Sequence, residues 1–130
     1  MTTLAKDSPL VICSGNHGSI GIIASDIVYE GAMVGDNGSG YGRPLVAGDK
    51  FLGHALKQCD NSATATAGYL NIEYLCGRYR LVVDLVGLIT DVGQPVYASD
   101  DATLTFAGAG SSTGNSYVGV VTRYVSATQM

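Results

Sequence analysis

The side chains best equipped for chemistry in this 130-residue chain are two histidines, three cysteines and a few aspartates. Cys13 and His17 lie close in sequence, with His54 elsewhere. A thiol beside an imidazole can act as a nucleophile. Closeness in sequence does not supply hydrogen-bond geometry, and no orienting motif surrounds the pair. We read a packed cysteine and a turn histidine. Asp100 and Asp101, with Asp84 and Asp91, offer carboxylates to a divalent cation. The acid spacing and terminal glutamate of an EF-hand are missing, and turn-forming aspartates account for the pair. Gly38-x-Gly40-x-Gly42 invites a phosphate-cradling reading, which needs a helix N-terminus after the glycines. Arg43-Pro44 and a strand-prone stretch follow instead, so we read a surface loop. The expectation is no catalytic, metal-binding or cofactor-binding residue, no cofactor and no enzyme.

The remaining cysteines, Cys59 and Cys76, complete an odd set without a C-x-x-C. This argues against a disulfide framework or a zinc site and for reduced packing residues. Charged residues make up only 14% of the chain and net charge is −4, with Lys and Arg scattered. Nucleic-acid binding and binding to an anionic membrane both need a basic patch, so neither is expected. The longest greasy run, Leu81 to Ile89, is interrupted by Asp84 and too short to span a bilayer. The N-terminus has no apolar core of the signal-peptide kind.

The elements that would hold these residues are short strands. Met1 to Pro9 reads as an extended polar arm and residues 10–130 as a single β-domain. Leu10 to Ser14, Ile20 to Ala24, Ile27 to Val34, Leu45 to Ala47 and Phe51 to Gln58 are β-prone, with Gly15 to Ser19 as a turn. Tyr69 to Cys76 alternates, with Leu70, Ile72, Tyr74 and Cys76 on one side. Gly77-Arg78 turns the chain, and Tyr79 to Val83 is expected to return antiparallel to it. Val86 to Val92 reads as either a helical turn or a loop. Val96 to Ala98, Thr103 to Phe106 and Tyr117 to Val125 follow, the last expected as the central strand of the C-terminal half. No stretch of ten residues has convincing 3.6 periodicity. The fold class is all-β, a single compact β-sandwich or small β-barrel of short antiparallel strands with a flexible N-terminal arm. Tyr69, Tyr74, Tyr79, Tyr117 and Tyr124 are placed on these strands, half-buried or at an interface.

Two stretches resemble each other. Gly31-Ala-Met-Val34 matches Gly93-Gln-Pro-Val96 at an offset of 62, and Phe51-Leu-Gly53 matches Tyr117-Val-Gly119 at an offset of 66. The match is either coincidence or the mark of two related β-hairpin units. The glycine inside each strand signals a bulge or a close backbone approach, or is simply tolerated.

The run from Ile89 to Phe106, with its D-x-G-x-P-V-Y-A-x-D-D, and the run from Asn115 to Val125, opening N-S-Y-V-G, resemble tailed-bacteriophage head decoration proteins, also called capsid cement proteins. The resemblance covers roughly residues 20 to 125. It implies a compact β-domain on the outer capsid surface of a virion, made in the host cytoplasm. It also implies a homotrimer at a threefold position that clamps neighbouring subunits of the major capsid protein. No active site comes with it. Capsid contacts are expected from the arm, at Thr2, Thr3, Leu4 and Lys6, and from the Gly35 to Gly42 loop and its exit, at Tyr41 and Arg43. The Gly108 to Asn115 loop is a further contact candidate. The alternatives are another virion component, a head-fibre base or tail protein, or a glycan-binding β-module using its tyrosines.

Overall fold

The computed structural model describes residues 15–108 and 114–130. The 1–9 arm, the strand expected at residues 10–14 and most of the 108–115 loop lie outside the described residues.

The chain is all-β. Its strands are β1 (His17–Gly21), β2 (Ile27–Val28), β3 (Met33–Asp36), β4 (Gly42–Pro44) and β5 (Lys50–Ala55). They continue as β6 (Cys59–Asp60), β7 (Asn71–Leu75), β8 (Pro95–Ala98), β9 (Leu104–Thr105) and β10 (Ser116–Val120). A larger sheet has the order β1-β7-β5-β3-β4, a smaller one β10-β8-β9, and β2 pairs with β6. All these pairings are antiparallel. A single 3₁₀ turn at Ile89–Asp91 answers the ambiguity of residues 86–92.

Strand alternation sends neighbouring side chains of β3 to opposite faces. Val34 joins Ile22, Val28, Ala55, Cys59 and Ile72 in one core beneath the larger sheet. Met33 instead packs with Leu45, Ala98, Phe51, Leu104 and Val118, where the two sheets meet as a small β-sandwich. Leu85, Val96, Val121 and Met130 form a third cluster.

The two similar stretches are a structural repeat. β3 meets β5 through Met33↔His54, Val34↔Gly53, Gly35↔Phe51 and Asp36↔Lys50. β8 meets β10 through Pro95↔Val120, Val96↔Gly119, Tyr97↔Tyr117 and Ala98↔Ser116. Each pair of the second set follows from the first by the offsets 62 and 66 read in the sequence. Both ladders bulge at the residue before the glycine, Leu52 and Val118. The flanking bonds repeat too. Gly31 N–H donates to Ala55 O and Ala55 N–H to Ala32 O, both at 2.8 Å. Gly93 N–H donates to Val121 O at 2.8 Å and Val121 N–H to Gln94 O at 3.0 Å. The repeat reaches beyond these strands. Ile20 pairs with Ile72, and Ile22 N–H donates to Leu70 O. Likewise Val83 and Met130 exchange backbone bonds, and Leu85 N–H donates to Thr128 O.

Three expectations need correction. Tyr79 to Val83 is neither a strand nor the partner of β7, which pairs with β1 and β5. Tyr117 to Val125 stops as a strand at Val120 and lies at the edge of its sheet, with β8 at the centre. His17 to Ser19, expected in a turn, opens β1. The local pattern was β-prone in the first two cases, but pairing is decided by which distant backbone lies alongside.

Candidate functional site

The loop glycines serve geometry. Gly38 and Gly40 have φ of 87° and 86°, where a Cβ is disfavoured, and open the hairpin between β3 and β4. Asp36 Oδ1 accepts from Gly38 N–H and Asn37 Oδ1 from Ser39 N–H. A strand, not a helix, follows, so the phosphate-cradling geometry does not arise.

The aspartates act as turn acceptors. Asp100 Oδ1 takes hydrogen bonds from Ala102 N–H at 2.9 Å and Thr103 N–H at 2.7 Å. These bonds hold its carboxyl below the ordinary carboxylate value. Asp91 Oδ2 accepts from Leu88 N–H at the 3₁₀ turn, and Asp84 Oδ1 from Gln129 Nε2. Among the described residues no three His, Cys, Asp or Glu side chains gather as metal ligands would.

Cys13 lies outside the described residues. His17 and His54 both align with Leu75, one from each neighbouring strand. Two strand spacings put their backbones about 10 Å apart, with β7 between them. His54 is held by Tyr79, whose hydroxyl is 2.7 Å from Nδ1. Burial drives the Tyr79 phenol up to about 12, with the neighbouring Cys76 adding to it. Tyr79 therefore stays protonated beside a neutral His54, whose own pKa burial lowers. Phe51 and His54 would face opposite ways by strict alternation. The bulge at Leu52 puts them on one face, with ring centroids 5.5 Å apart in an edge arrangement.

Of the expected contact residues, Thr2, Thr3, Leu4 and Lys6 lie outside the described residues. Tyr41 and Arg43 are engaged within the fold. The Tyr41 ring covers the backbone at Gly21 and Gly68. Arg43 grips Asp49 with two bonds, Nε to Oδ2 at 2.9 Å and Nη2 to Oδ1 at 2.7 Å. Burial alone would raise the Asp49 carboxyl. Arg43 and the Val46 N–H outweigh it and hold the carboxyl below its ordinary value. Tyr41 and Arg43 adjoin on the β3–β4 hairpin, and their principal contacts are intramolecular.

Two surfaces escaped the sequence reading. The first is a run of exposed aliphatic side chains between Leu81 and Val92. Val82, Val86, Leu88 and Ile89 are 66%, 76%, 65% and 70% exposed, with Leu81 and Val92 beside them. The greasy Leu81 to Ile89 run was the available signal, but an apolar run reads equally well as core. The second is a groove of about 890 Å³ between the segment 77–81 and β10, floored by Val83, Leu85, Val96, Val121 and Met130. No local pattern announces a groove built from parts so far apart in sequence. Comparison with family models, with curated proteins and with solved structures gives no match for this chain.

Proposed function

We propose that this protein is a non-enzymatic structural component of a phage virion. On this reading it decorates the outer capsid surface and stabilises the shell by clamping neighbouring major capsid protein subunits. The observation that carries the reading is the exposed aliphatic face at residues 81–92. Solvating so many large aliphatic side chains in so short a run is unfavourable, and burying them against another protein is the usual resolution. The groups that could perform chemistry are tied up in turns and ladders, which supports a binding role over catalysis. The resemblance of residues 89–106 and 115–125 to head decoration proteins supplies the kind of partner.

The same face serves self-association into a homotrimer, and many copies on one shell add up through avidity. The contact depends on apolar burial, so a roughly tenfold rise in salt leaves shell binding nearly unchanged. Neither nucleic acid nor membrane takes part. Among the described residues no helix is long and apolar enough to cross a membrane.

Cryo-electron microscopy of the virion carrying this protein tests the reading. Density at capsid threefold positions, with the 81–92 face against a neighbour, is the expected result. Density confined to the tail, or none on the particle, would overturn it.

A further inference from the structure

The chain has five asparagines, and one of them is arranged to react with its own backbone. Asn37 precedes Gly38 at the tip of the β3–β4 hairpin. No side chain covers the Gly38 nitrogen, and an added Cβ there would meet nothing within 4 Å. Gly38 is exposed and Asn37 half-buried. The Gly38 N–H donates to Asp36 Oδ1 at 2.9 Å. Asn37 Oδ1 accepts from Ser39 N–H at 2.8 Å and from Tyr41 N–H at 3.4 Å. The Asn37 Nδ2 group has no acceptor among the described residues.

The other four asparagines lack this arrangement. Asn61 and Asn115 are buried, and their Nδ2 groups donate to Ile23 O, Thr66 O and Ala107 O. Asn16 Nδ2 donates to Arg78 O. Asn71 lies within β7 and precedes the branched Ile72. None of the four precedes a glycine.

We propose that Asn37 is a site of spontaneous deamidation through a succinimide, with Asp36 as the proton acceptor. The Gly38 nitrogen attacks Asn37 Cγ as its proton passes to Asp36 Oδ1. Negative charge gathers on Asn37 Oδ1, where the Ser39 and Tyr41 N–H groups already point. The Cγ–Nδ2 bond then breaks. Nδ2 keeps the electron pair, takes up the proton and leaves as ammonia. Water opens the ring in one of two ways. Cleavage between the Gly38 nitrogen and Cγ leaves aspartate on an unaltered backbone. Cleavage between that nitrogen and the main-chain carbonyl leaves isoaspartate, with an extra methylene in the main chain. Overall a water is consumed and an ammonia released, with no oxidation or reduction. Either product places a new negative charge beside Asp36. Isoaspartate also lengthens the turn that Asn37 N–H closes onto Tyr41 O at 3.0 Å. The hairpin tip therefore changes charge and length with age. The inference does not depend on the capsid reading.

Site-resolved mass spectrometry of the folded full chain, held for days at mildly alkaline pH, tests it. Aspartate and isoaspartate are expected at residue 37 well before any other asparagine converts. Asp36→Asn keeps an acceptor oxygen but loses the basicity, and should slow conversion at Asn37 about tenfold or more. Persistence of Asn37 overturns the proposal, as does earlier conversion at Asn16, Asn61, Asn71 or Asn115. An unchanged rate at Asn37 in Asp36→Asn overturns it equally. If that variant fails to fold, the order of conversion in the unaltered chain decides alone.

Discussion

At Gly53 the neighbouring strand comes so close that an added Cβ would land on the carbonyl oxygen of Leu75. At its repeat equivalent, Gly119, an added Cβ meets nothing within 4 Å. Both glycines follow a bulge, yet only the first is demanded by space. Gly53→Ala should cost about 3 kcal/mol or more, because backbone has to move. Gly119→Ala should stay within about 0.5 kcal/mol of the parent. Denaturant midpoints of the two variants check the contrast, and equal losses would contradict it. His54 gives the fold a pH response. Its pKa is lowered by burial, so the unfolded chain takes up the proton more readily than the folded one. That contribution to stability is present above about pH 6.5, the ordinary histidine value, and declines as pH falls from there toward the lower folded value. A denaturation series from pH 8 to pH 5 should show this slope, and His54→Gln should flatten it.

At the scale of elements, the two units have cores built from corresponding positions. Val34, Ala55, Ile72 and Ile22 in one answer to Val96, Val121, Met130 and Leu85 in the other. Ile72 is fully buried, and Ile72→Ala should cost about 3 kcal/mol through lost burial and the cavity left behind. Met33, Leu45 and Ala98 join the two sheets, so this loss should appear as one shifted transition. Circular dichroism and tyrosine fluorescence following the same curve would confirm that coupling, and separate transitions would refute it. The existence of most strands was legible in the sequence. β7 alternates as expected, with Ile72 buried and Asn71 and Glu73 exposed. Its partners were not legible. Tyr79 to Val83 is adjacent in sequence and β-prone, so a hairpin was the local answer. The actual partners, β1 and β5, are set by a core that gathers residues from Ile22 to Ile72.

For the whole molecule, the exposed 81–92 face governs assembly on the proposed reading. Ile89→Asp adds a charge where burial is needed and should dissolve the trimer, shifting the sedimentation coefficient to that of a monomer. Ile89 is 70% exposed, so the fold itself should lose less than about 0.5 kcal/mol. A variant that remains trimeric would place the self-contact elsewhere.

The sequence by itself determined the all-β class and most of the turns. Each of these rests on local physics: alternation, glycine and proline backbone preferences, and aspartates that accept their own turn's N–H groups. Only the tertiary structure decided that the weak similarity is a repeat. The identity lies in ladder register and bulge position, and few side chains are needed to specify either. It also decided that Arg43 belongs to Asp49, that His54 belongs to Tyr79, and that within the Leu81 to Ile89 run Leu85 turns into the core while Val82, Val86, Leu88 and Ile89 face outward. Those outcomes depend on which distant backbone closes over a residue, and no local pattern encodes that.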